Sequence, residues 1–290
     1  MKYIKDPHKL AGALKVLALH EPEVKNFYFS TLSPKLTGLE DAKDKLVTLF
    51  VVANSGRRGI GKSKESLINA ATHFYQGIEQ KIKECRGIEP QEAHEVFLKW
   101  LCNIPGMDQK TANLLLKWIV MFDTDFEFGL LDWQTWRPHL HVPLDRWVVR
   151  LMGKRHLGAC TDDYERIFLE TSVNPKYINL SFEKKEYHQL QKELTEVALL
   201  SQEPKIVLDV LWFVGHLFCD YHPILCNNCW IRKTCLNYKP PPDWGSIPSK
   251  SKSELRRERQ EEQRRINQLI RTYMKGHPER VEEIKEKHSL

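Results

Sequence analysis

The sequence of 290 residues contains no apolar run of the length that a membrane-spanning helix needs, which is about 20 residues. Its first 22 residues also have no long apolar run ahead of a small-residue cleavage site, so we expect no secretory signal. These two absences exclude the membrane and secreted classes as first hypotheses. We therefore expect a cytoplasmic protein with no membrane partner.

Segments in which apolar and polar residues alternate, as in a half-buried strand, are scarce. The best strand candidate is 47–53, and a buried helix explains that segment equally well. Apolar residues at helical spacing are instead frequent, as in 96–101, 114–119 and 187–218. The sequence therefore predicts an all-α fold.

Positive charge is present but unevenly spread. The net charge is +6, and segment 250–290 alone contributes +4, from 12 Lys and Arg against 8 Asp and Glu. The rest of the chain is nearly neutral, so any binding site for a polyanion there must be a local patch. The Pro-rich segment 239–245 marks the end of a domain. Beyond it, 253–275 is typical of a charged, solvated helix, and docking of its short apolar stripe is the less favoured alternative.

The seven cysteines do not form a disulfide pattern. Three of them are scattered along the chain, at Cys85, Cys102 and Cys160. The other four fall within 17 residues with the spacing C-x6-C-x2-C-x5-C: Cys219, Cys226, Cys229 and Cys235. Four crowded thiols can hold a [4Fe–4S] cluster or a zinc ion. Zinc sites usually bring two C-x2-C pairs, whereas this segment has one, and four metal-free structural thiols fit poorly with its polar residues.

Segment 215–238 resembles the iron–sulfur loop of endonuclease III and of the adenine glycosylase that acts on A/G mismatches. The spacing of the four cysteines is the same as in that family, and the resemblance implies a [4Fe–4S] cluster on them. The chain departs from the family between the first two cysteines. In the family this loop is basic and touches DNA, whereas 220–225 contains no Lys or Arg.

A helix–hairpin–helix is predicted in 101–116, where Pro105 and Gly106 separate two apolar-periodic helices. Such a hairpin points backbone N–H groups outward, where they can bind phosphates without reading the sequence. The segment resembles the family pattern L-P-G-V-G-x-K-T-A-N, with Asp108 at the second glycine. Asp tolerates left-handed backbone geometry better than most residues, but its charge is unfavourable near a phosphate. The DNA-binding residues predicted here are Gly106, Met107, Asp108, Gln109 and Thr111.

Segment 141–150 resembles the family's V-P-V-D-T-H-V-x-R, with Asp145 at the catalytic aspartate. The resemblance implies that Lys110 attacks the sugar C1′ of a flipped-out nucleotide and that Asp145 assists departure of the base. Lys110 and Asp145 are 35 residues apart, about twice the family's interval, and Arg146 and Trp147 replace Thr-His. The aromatic-rich stretch 122–140 between them is either a loop beside the pocket or packing.

One further motif, 56–63, matches the phosphate-loop pattern G-x4-G-K-S, and 206–209 could pass for a magnesium-binding strand. A nucleotide-binding fold of that type needs several parallel strands, which this sequence does not predict. We therefore favour a connection between two helices at a DNA-facing surface. Its phosphate contacts would come from Arg57, Arg58 and Lys62, with Lys64 beside them.

The resemblance implies two lobes, a six-helix lobe at 40–137 with the hairpin and a cluster lobe formed by 1–39 with 138–238, followed by the tail 239–290. It also implies a monomeric, nucleoid-associated base-excision repair glycosylase with AP lyase activity. The partner would be double-stranded DNA that carries a damaged base or an abasic site. The alternative is a non-catalytic protein that binds DNA structure or senses damage on the same scaffold.

Overall fold

A computed structural model describes residues 1–55, 63–169, 183–219 and 226–238. The helices of these residues, in chain order, are α1 Pro7–Ala18, α2 Glu21–Leu36, α3 Ala42–Asn54, α4 Lys64–Cys85, α5 Pro90–Asn103, α6 Gln109–Phe126, α7 Arg146–Met152, α8 Asp162–Phe168, α9 Lys185–Ser201 and α10 Val210–Leu217, with short 3₁₀ helices at Trp133–His139, Lys205–Asp209 and Cys226–Asn228. The predicted tail helix at 253–275 lies outside the described residues.

Polar side chains fix where most of these helices begin. A side-chain oxygen just before the helix accepts a hydrogen bond from a backbone N–H of the first turn, which would otherwise lack a partner. These caps are Asp6 for α1, Asp41 for α3, Ser63 for α4, Asp108 for α6, Asp145 for α7 and Thr161 for α8. Pro7 and Pro90 stand at the starts of α1 and α5, where proline's missing N–H has no consequence.

The all-α prediction is confirmed for the described residues, which contain no strand and one isolated bridge, Ile4 to Cys160. Segment 47–53, the best strand candidate, belongs to α3, and all of its residues except the half-buried Thr48 are buried. Burial on nearly all sides leaves little of the polar face by which a surface helix is recognised. Within the described ranges, no helix has both the length and the apolar character needed to cross a membrane.

The chain divides into two compact units. Among the described residues, one unit, the cysteine unit, comprises 1–29 and 135–238, and the other, the hairpin unit, comprises 30–134. The sequence-based boundaries were drawn at 39/40 and 137/138. Six helices were expected in 40–137, and its described residues contain four α-helices, α3 to α6.

The core of the hairpin unit is aromatic. Helix α3 packs against α4 and α6, and α5 packs against α4 and α6. The rings of Phe50 and Phe74 stack at 4.6 Å, and Phe74 stacks on Trp100 at 5.4 Å. Offset ring pairs of this kind add to the stabilisation from burying apolar area. The unit therefore holds α5 and α6, and the turn between them, on a rigid base.

In the cysteine unit, α1 packs on α9 and α7 packs on α10. The N-terminal segment is held by one buried carboxylate, that of Glu193 in α9. It accepts hydrogen bonds from the backbone N–H groups of Lys2, Tyr3 and Ile4 at 2.8–2.9 Å. Hydrogen bonds to a charged acceptor are stronger than neutral ones, so Glu193 ties residues 2–4 to α9.

Candidate functional site

The turn 104–108 between α5 and α6 has the geometry of a tight hairpin. Gly106 adopts φ +82°, in the left-handed region where a side chain would be strained. The backbone N–H of Met107 donates to the carbonyl of Ile104 at 2.9 Å and closes the turn. Pro105 and Gly106 are exposed, so the tip of the turn faces solvent.

Asp108 does not use the left-handed backbone that we invoked for it from the sequence. Its backbone is extended, with φ −97° and ψ 161°, and its carboxylate caps α6 by accepting from the N–H of Thr111 at 2.7 Å. The expectation was wrong because the left-handed residue of this turn is Gly106, two positions earlier. The capping carboxylate occupies one N–H of the helix end and places negative charge where a phosphate would bind.

Three of the predicted DNA-binding residues have buried side chains: Met107, Gln109 and Thr111. Gln109 is tied inward, because Asn113 Nδ2 donates to its backbone carbonyl at 2.7 Å and to its side-chain oxygen at 3.2 Å. Their side chains are therefore unsuited to touching DNA. Exposed Gly106 and the backbone N–H groups around it remain the candidates for phosphate contact at the hairpin.

Lys110 is the second residue of α6, and its side chain is half-buried. The other lysine of this helix, Lys117, is 2% exposed. Of the two, Lys110 is the one that a ligand in solvent can reach. That accessibility is the first requirement of a nucleophile toward a macromolecular substrate.

The basic residues Arg57, Arg58 and Lys62 lie outside the described residues. The elements on either side of 56–62 do not suit a phosphate loop, which joins a strand to a helix. Here helix α3 precedes the segment and helix α4 follows it, starting at Lys64. The second part of that motif also fails, because 206–209 lies in a 3₁₀ helix rather than a strand.

The aromatic stretch 122–140 packs into the protein interior. Its large rings are all almost fully buried: Phe122, Phe126, Phe128, Trp133 and Trp136. Within the hairpin unit, the ring of Trp133 meets that of Phe97 edge-on at 5.6 Å. The sequence left open whether this stretch is a loop beside the pocket or part of the packed interior, and the burial of its rings supports packing.

The four clustered cysteines line one pocket of the cysteine unit: Cys219, Cys226, Cys229 and Cys235. Cys219 lies just beyond the end of α10, and Cys226 opens a short 3₁₀ helix. In the described ranges, no three of these sulfur atoms lie within 4.8 Å of one another. The thiols therefore surround a shared space without meeting at a single point.

Burial and mutual proximity act on the acidity of these thiols. Burial raises the pKa of Cys219 to about 12, and the negative charge of the neighbouring cysteines adds to the effect. Burial likewise raises the pKa of Cys229 to about 11. Thiols with such pKa values are protonated at neutral pH unless a cation stabilises the thiolates. Four thiols in this arrangement are suited to a positively charged group bound among them.

The walls of this pocket come from separate parts of the cysteine unit. His156 Nδ1 lies 3.7 Å from Cys235 Sγ, and the backbone N–H of Leu236 donates to the His156 carbonyl at 2.7 Å. Outside the residues that line the pocket, the ring of Trp230 stacks on His20 with centroids 4.3 Å apart and planes within 5°. These contacts anchor the described part of the cysteine loop to segment 153–160 and to the turn between α1 and α2.

Asp145 is 5% exposed and caps α7. Its Oδ1 accepts from the backbone N–H groups of Trp147 at 2.6 Å and Val148 at 3.1 Å. A buried carboxylate held by backbone donors is both a structural cap and a fixed negative charge. The geometry is therefore compatible with the ordinary role of an aspartate before a helix and with an electrostatic role toward a bound cation.

The segment that carries Asp145 is held by α9. Gln191, 2% exposed, accepts from the backbone N–H of Val142 at 3.0 Å and donates to its carbonyl at 2.9 Å. Beside it, His141 Nδ1 lies 3.0 Å from the hydroxyl of Tyr187. Neither support was predicted from the sequence. The available signal was a glutamine within the apolar stripe of α9, between Leu190 and Leu194.

A tight contact links α7 to α10. The indole of Trp147 packs directly on Gly215 and leaves no space for a Cβ at that position. Helix α10 then ends at Leu217, two residues before Cys219. Asp145 and the cysteine pocket thus belong to one packed body, the cysteine unit. Lys110 belongs to the hairpin unit.

We expect Gln191→Leu to lower the free energy of unfolding by roughly 2 kcal/mol or more, because it leaves the buried N–H and carbonyl of Val142 without partners. Urea unfolding followed by circular dichroism measures this loss. Hydrogen exchange in 140–145 should also accelerate. The neighbouring Lys192 is exposed, so Lys192→Ala should change stability by no more than about 0.5 kcal/mol. Equal midpoints for the two variants would contradict the role assigned to Gln191.

No family model, curated protein or solved structure matches this chain. The cysteine unit offers four thiols around one pocket and a buried, capped carboxylate. The hairpin unit offers an exposed glycine turn and an accessible lysine at the start of α6.

Proposed function

We propose that the protein is a DNA base-excision repair glycosylase with AP lyase activity, similar to endonuclease III, and that it carries a [4Fe–4S] cluster. The substrate would be double-stranded DNA with a damaged base or an abasic site. The observation that carries the proposal is the convergence of Cys219, Cys226, Cys229 and Cys235 on one pocket, in the same unit as buried Asp145.

The donor set fits an iron–sulfur cluster better than a zinc ion. Four thiolates around one zinc at 2.3 Å would place their sulfur atoms about 3.8 Å apart. No three of the cysteine sulfurs in the described ranges lie within even 4.8 Å of one another. A cluster binds each thiolate at a different iron corner and so suits more widely spaced sulfurs.

The described cysteines would hold the cluster, and the cluster would cross-link four points of the chain. Cys219 belongs to the end of α10, while Cys235 contacts His156 of another segment. The raised pKa values of Cys219 and Cys229 mean that binding must displace protons from the thiols. We assign the cluster no step in the reaction.

In the proposed reaction, Lys110 is the nucleophile. Its neutral amine forms a bond to the sugar C1′ while the bond from C1′ to the base breaks, and the base leaves with the electron pair and takes up a proton. The nitrogen then loses a proton, and its lone pair forms the C=N bond of a protonated imine between Lys110 and C1′ as the bond from C1′ to O4′ breaks and O4′ takes up a proton. The imine acidifies the C2′ proton, and loss of that proton expels the 3′ phosphate. The result is strand cleavage.

In the same reaction, Asp145 would stabilise positive charge that develops on the sugar as the base departs. Its carboxylate is held in place by the N–H groups of Trp147 and Val148 and by the Gln191 contact to Val142. A charge fixed in advance in a site shielded from water needs no reorganisation when the transition state forms. Its burial and its capping bonds therefore support an electrostatic role.

A non-catalytic DNA-binding or damage-sensing protein is the second candidate. Two observations favour it: Asp145 already has the structural role of a cap, and Asp108 places a carboxylate at the hairpin. This hypothesis predicts DNA binding without covalent chemistry. The tests of Lys110 and Asp145 below distinguish the two candidates.

The purified protein should be brown, with broad absorption near about 400 nm from thiolate-to-iron charge transfer. Replacing any one of the four clustered cysteines with Ala should remove this absorption, because each thiolate binds one iron. Cys102 lies outside the pocket, so Cys102→Ala should leave the spectrum unchanged. Iron and sulfide analysis completes the measurement. A colourless protein that holds one zinc per chain after anaerobic purification would overturn the cluster assignment.

Borohydride should trap a covalent complex between the wild-type protein and an abasic-site duplex, because it reduces the imine to a stable amine. Lys110→Gln should abolish trapping while the affinity for the duplex stays within a few fold. The exposed Lys99 on α5 provides the control, and Lys99→Gln should trap as well as the wild type. Peptide mapping of the adduct identifies the nucleophile. An adduct on a residue other than Lys110 would refute this assignment, and no adduct at all would favour the binding protein.

Asp145→Asn should slow base release by on the order of a hundredfold or more, because it removes one well-placed charge. Asparagine caps helices as well as aspartate does, so α7 should persist and the change tests the charge alone. Cleavage of a pre-formed abasic site should slow far less, since the base has already left. Single-turnover rates on the two substrates measure the contrast. Wild-type rates on both substrates would mean that Asp145 acts only as a cap, and equal slowing of both steps would contradict a role in base departure.

A further inference from the structure

We infer that Arg146 binds a phosphate of the DNA backbone directly beside Asp145, on a basic surface that it forms with Arg150 around the ring of Trp147. The inference rests on the proposed function, since it names a contact to the same substrate. It concerns the position where the chain departs from the family pattern, with Arg-Trp in place of Thr-His.

Both guanidinium groups are exposed and lie near one immobile ring. The Cζ atoms of Arg146 and Arg150 are each 5.4 Å from the centre of the Trp147 ring. The ring itself is 6% exposed and packs on Gly215. A cation over an indole face is attracted to it, which restrains the guanidinium before any ligand arrives. A restrained side chain loses less entropy when it binds.

Apart from the Trp147 ring, the charge of Arg146 has no partner among the described residues. Neither Arg146 nor Arg150 forms an ion pair there, whereas Arg137 pairs with Glu21 and Arg166 with Asp163. Arg146 is also the first residue of α7, and the first turn of that helix contains no acidic residue. A cation at this end of a helix is unfavourable. The positive charge of Arg146 at the start of α7 therefore does not stabilise the helix, and binding of an anionic ligand would explain its presence there.

Two phosphate contacts expected elsewhere are weakened in this chain. Segment 220–225 contains no Lys or Arg, and the hairpin carries the capping carboxylate of Asp108. Arg146 follows Asp145 directly, so their Cα atoms are about 3.8 Å apart. If Asp145 faces the sugar of the reacting nucleotide, the adjacent phosphate is within reach of the Arg146 side chain. Arginine presents a planar pair of donors that matches phosphate oxygens.

The salt dependence of DNA binding tests the inference. A duplex with a stable abasic-site analogue is titrated with wild type and Arg146→Gln at salt concentrations from 50 to 200 mM. Loss of one phosphate contact should reduce the slope of log affinity against log salt by about 0.9. Over this fourfold range of salt concentration, the factor by which affinity falls should be about 3.5 times smaller for the variant than for the wild type. The variant should also bind the duplex more weakly than the wild type at 50 mM salt.

Two further variants separate a contact from a general charge effect. Arg146→Lys keeps the charge and should retain the wild-type slope. Arg166→Gln removes another exposed arginine of the cysteine unit, one that is paired with Asp163, and should also leave the slope unchanged. Cooperative unfolding with midpoints near or above the wild-type value would show that the variants fold. Arg150 is left intact because its charge acts on Cys219.

The outcomes distinguish this inference from the function on which it rests. If the wild type binds the duplex and is trapped by borohydride while Arg146→Gln keeps the wild-type slope, the Arg146 contact is wrong and the proposed function stands. If Arg166→Gln lowers the slope as much as Arg146→Gln does, the effect is general charge and the inference also fails. A wild type that neither binds DNA nor is trapped overturns the proposed function and the Arg146 contact together.

Discussion

The burial of the Trp147 ring against Gly215 is the contact on which the arrangement of the cysteine unit depends. It sets the distance between α7 and α10, and each of these helices carries part of the candidate site at one end. Asp145 lies at the start of α7, and Cys219 lies just beyond the end of α10. A side chain at position 215 would separate the helices and displace both residues. Close packing of this kind transmits small changes over the whole unit.

Asp108 and Asp145 both cap a helix with a carboxylate, but they differ in how well that negative charge suits the proposed function. Each carboxylate binds N–H groups at the start of a helix. Asp108 is next to a turn proposed to bind phosphate, where negative charge repels the ligand. Asp145 is buried in a unit that is proposed to meet a sugar with developing positive charge, where the same charge would stabilise the transition state. A carboxylate therefore opposes binding of a negatively charged phosphate, whereas it favours a sugar that becomes positively charged.

Much of the helical architecture could be predicted from apolar periodicity. The segments 96–101 and 114–119 lie in α5 and α6, and the apolar stripe that begins at residue 187 lies in α9. The sequence could not decide between strand and helix for segment 47–53, because only Thr48 in it is partly exposed and a helix buried on nearly every side lacks the polar face that reveals its period. The turn at Asp108 was misjudged because sequence alone does not state which residue of a hairpin takes the positive φ. That choice depends on where the capping hydrogen bond forms.

By itself, the sequence determined the helical class, the spacing of the four thiols and the order of a lysine and an aspartate along the chain. These are local properties, set by residue type and interval. Only the tertiary structure decided that the aromatic rings of 122–140 are packed in the interior and that Met107, Gln109 and Thr111 are buried. It also showed that Gln191 holds the segment that leads to Asp145. Burial and long-range hydrogen bonds depend on which distant segments meet, and no local pattern encodes that pairing.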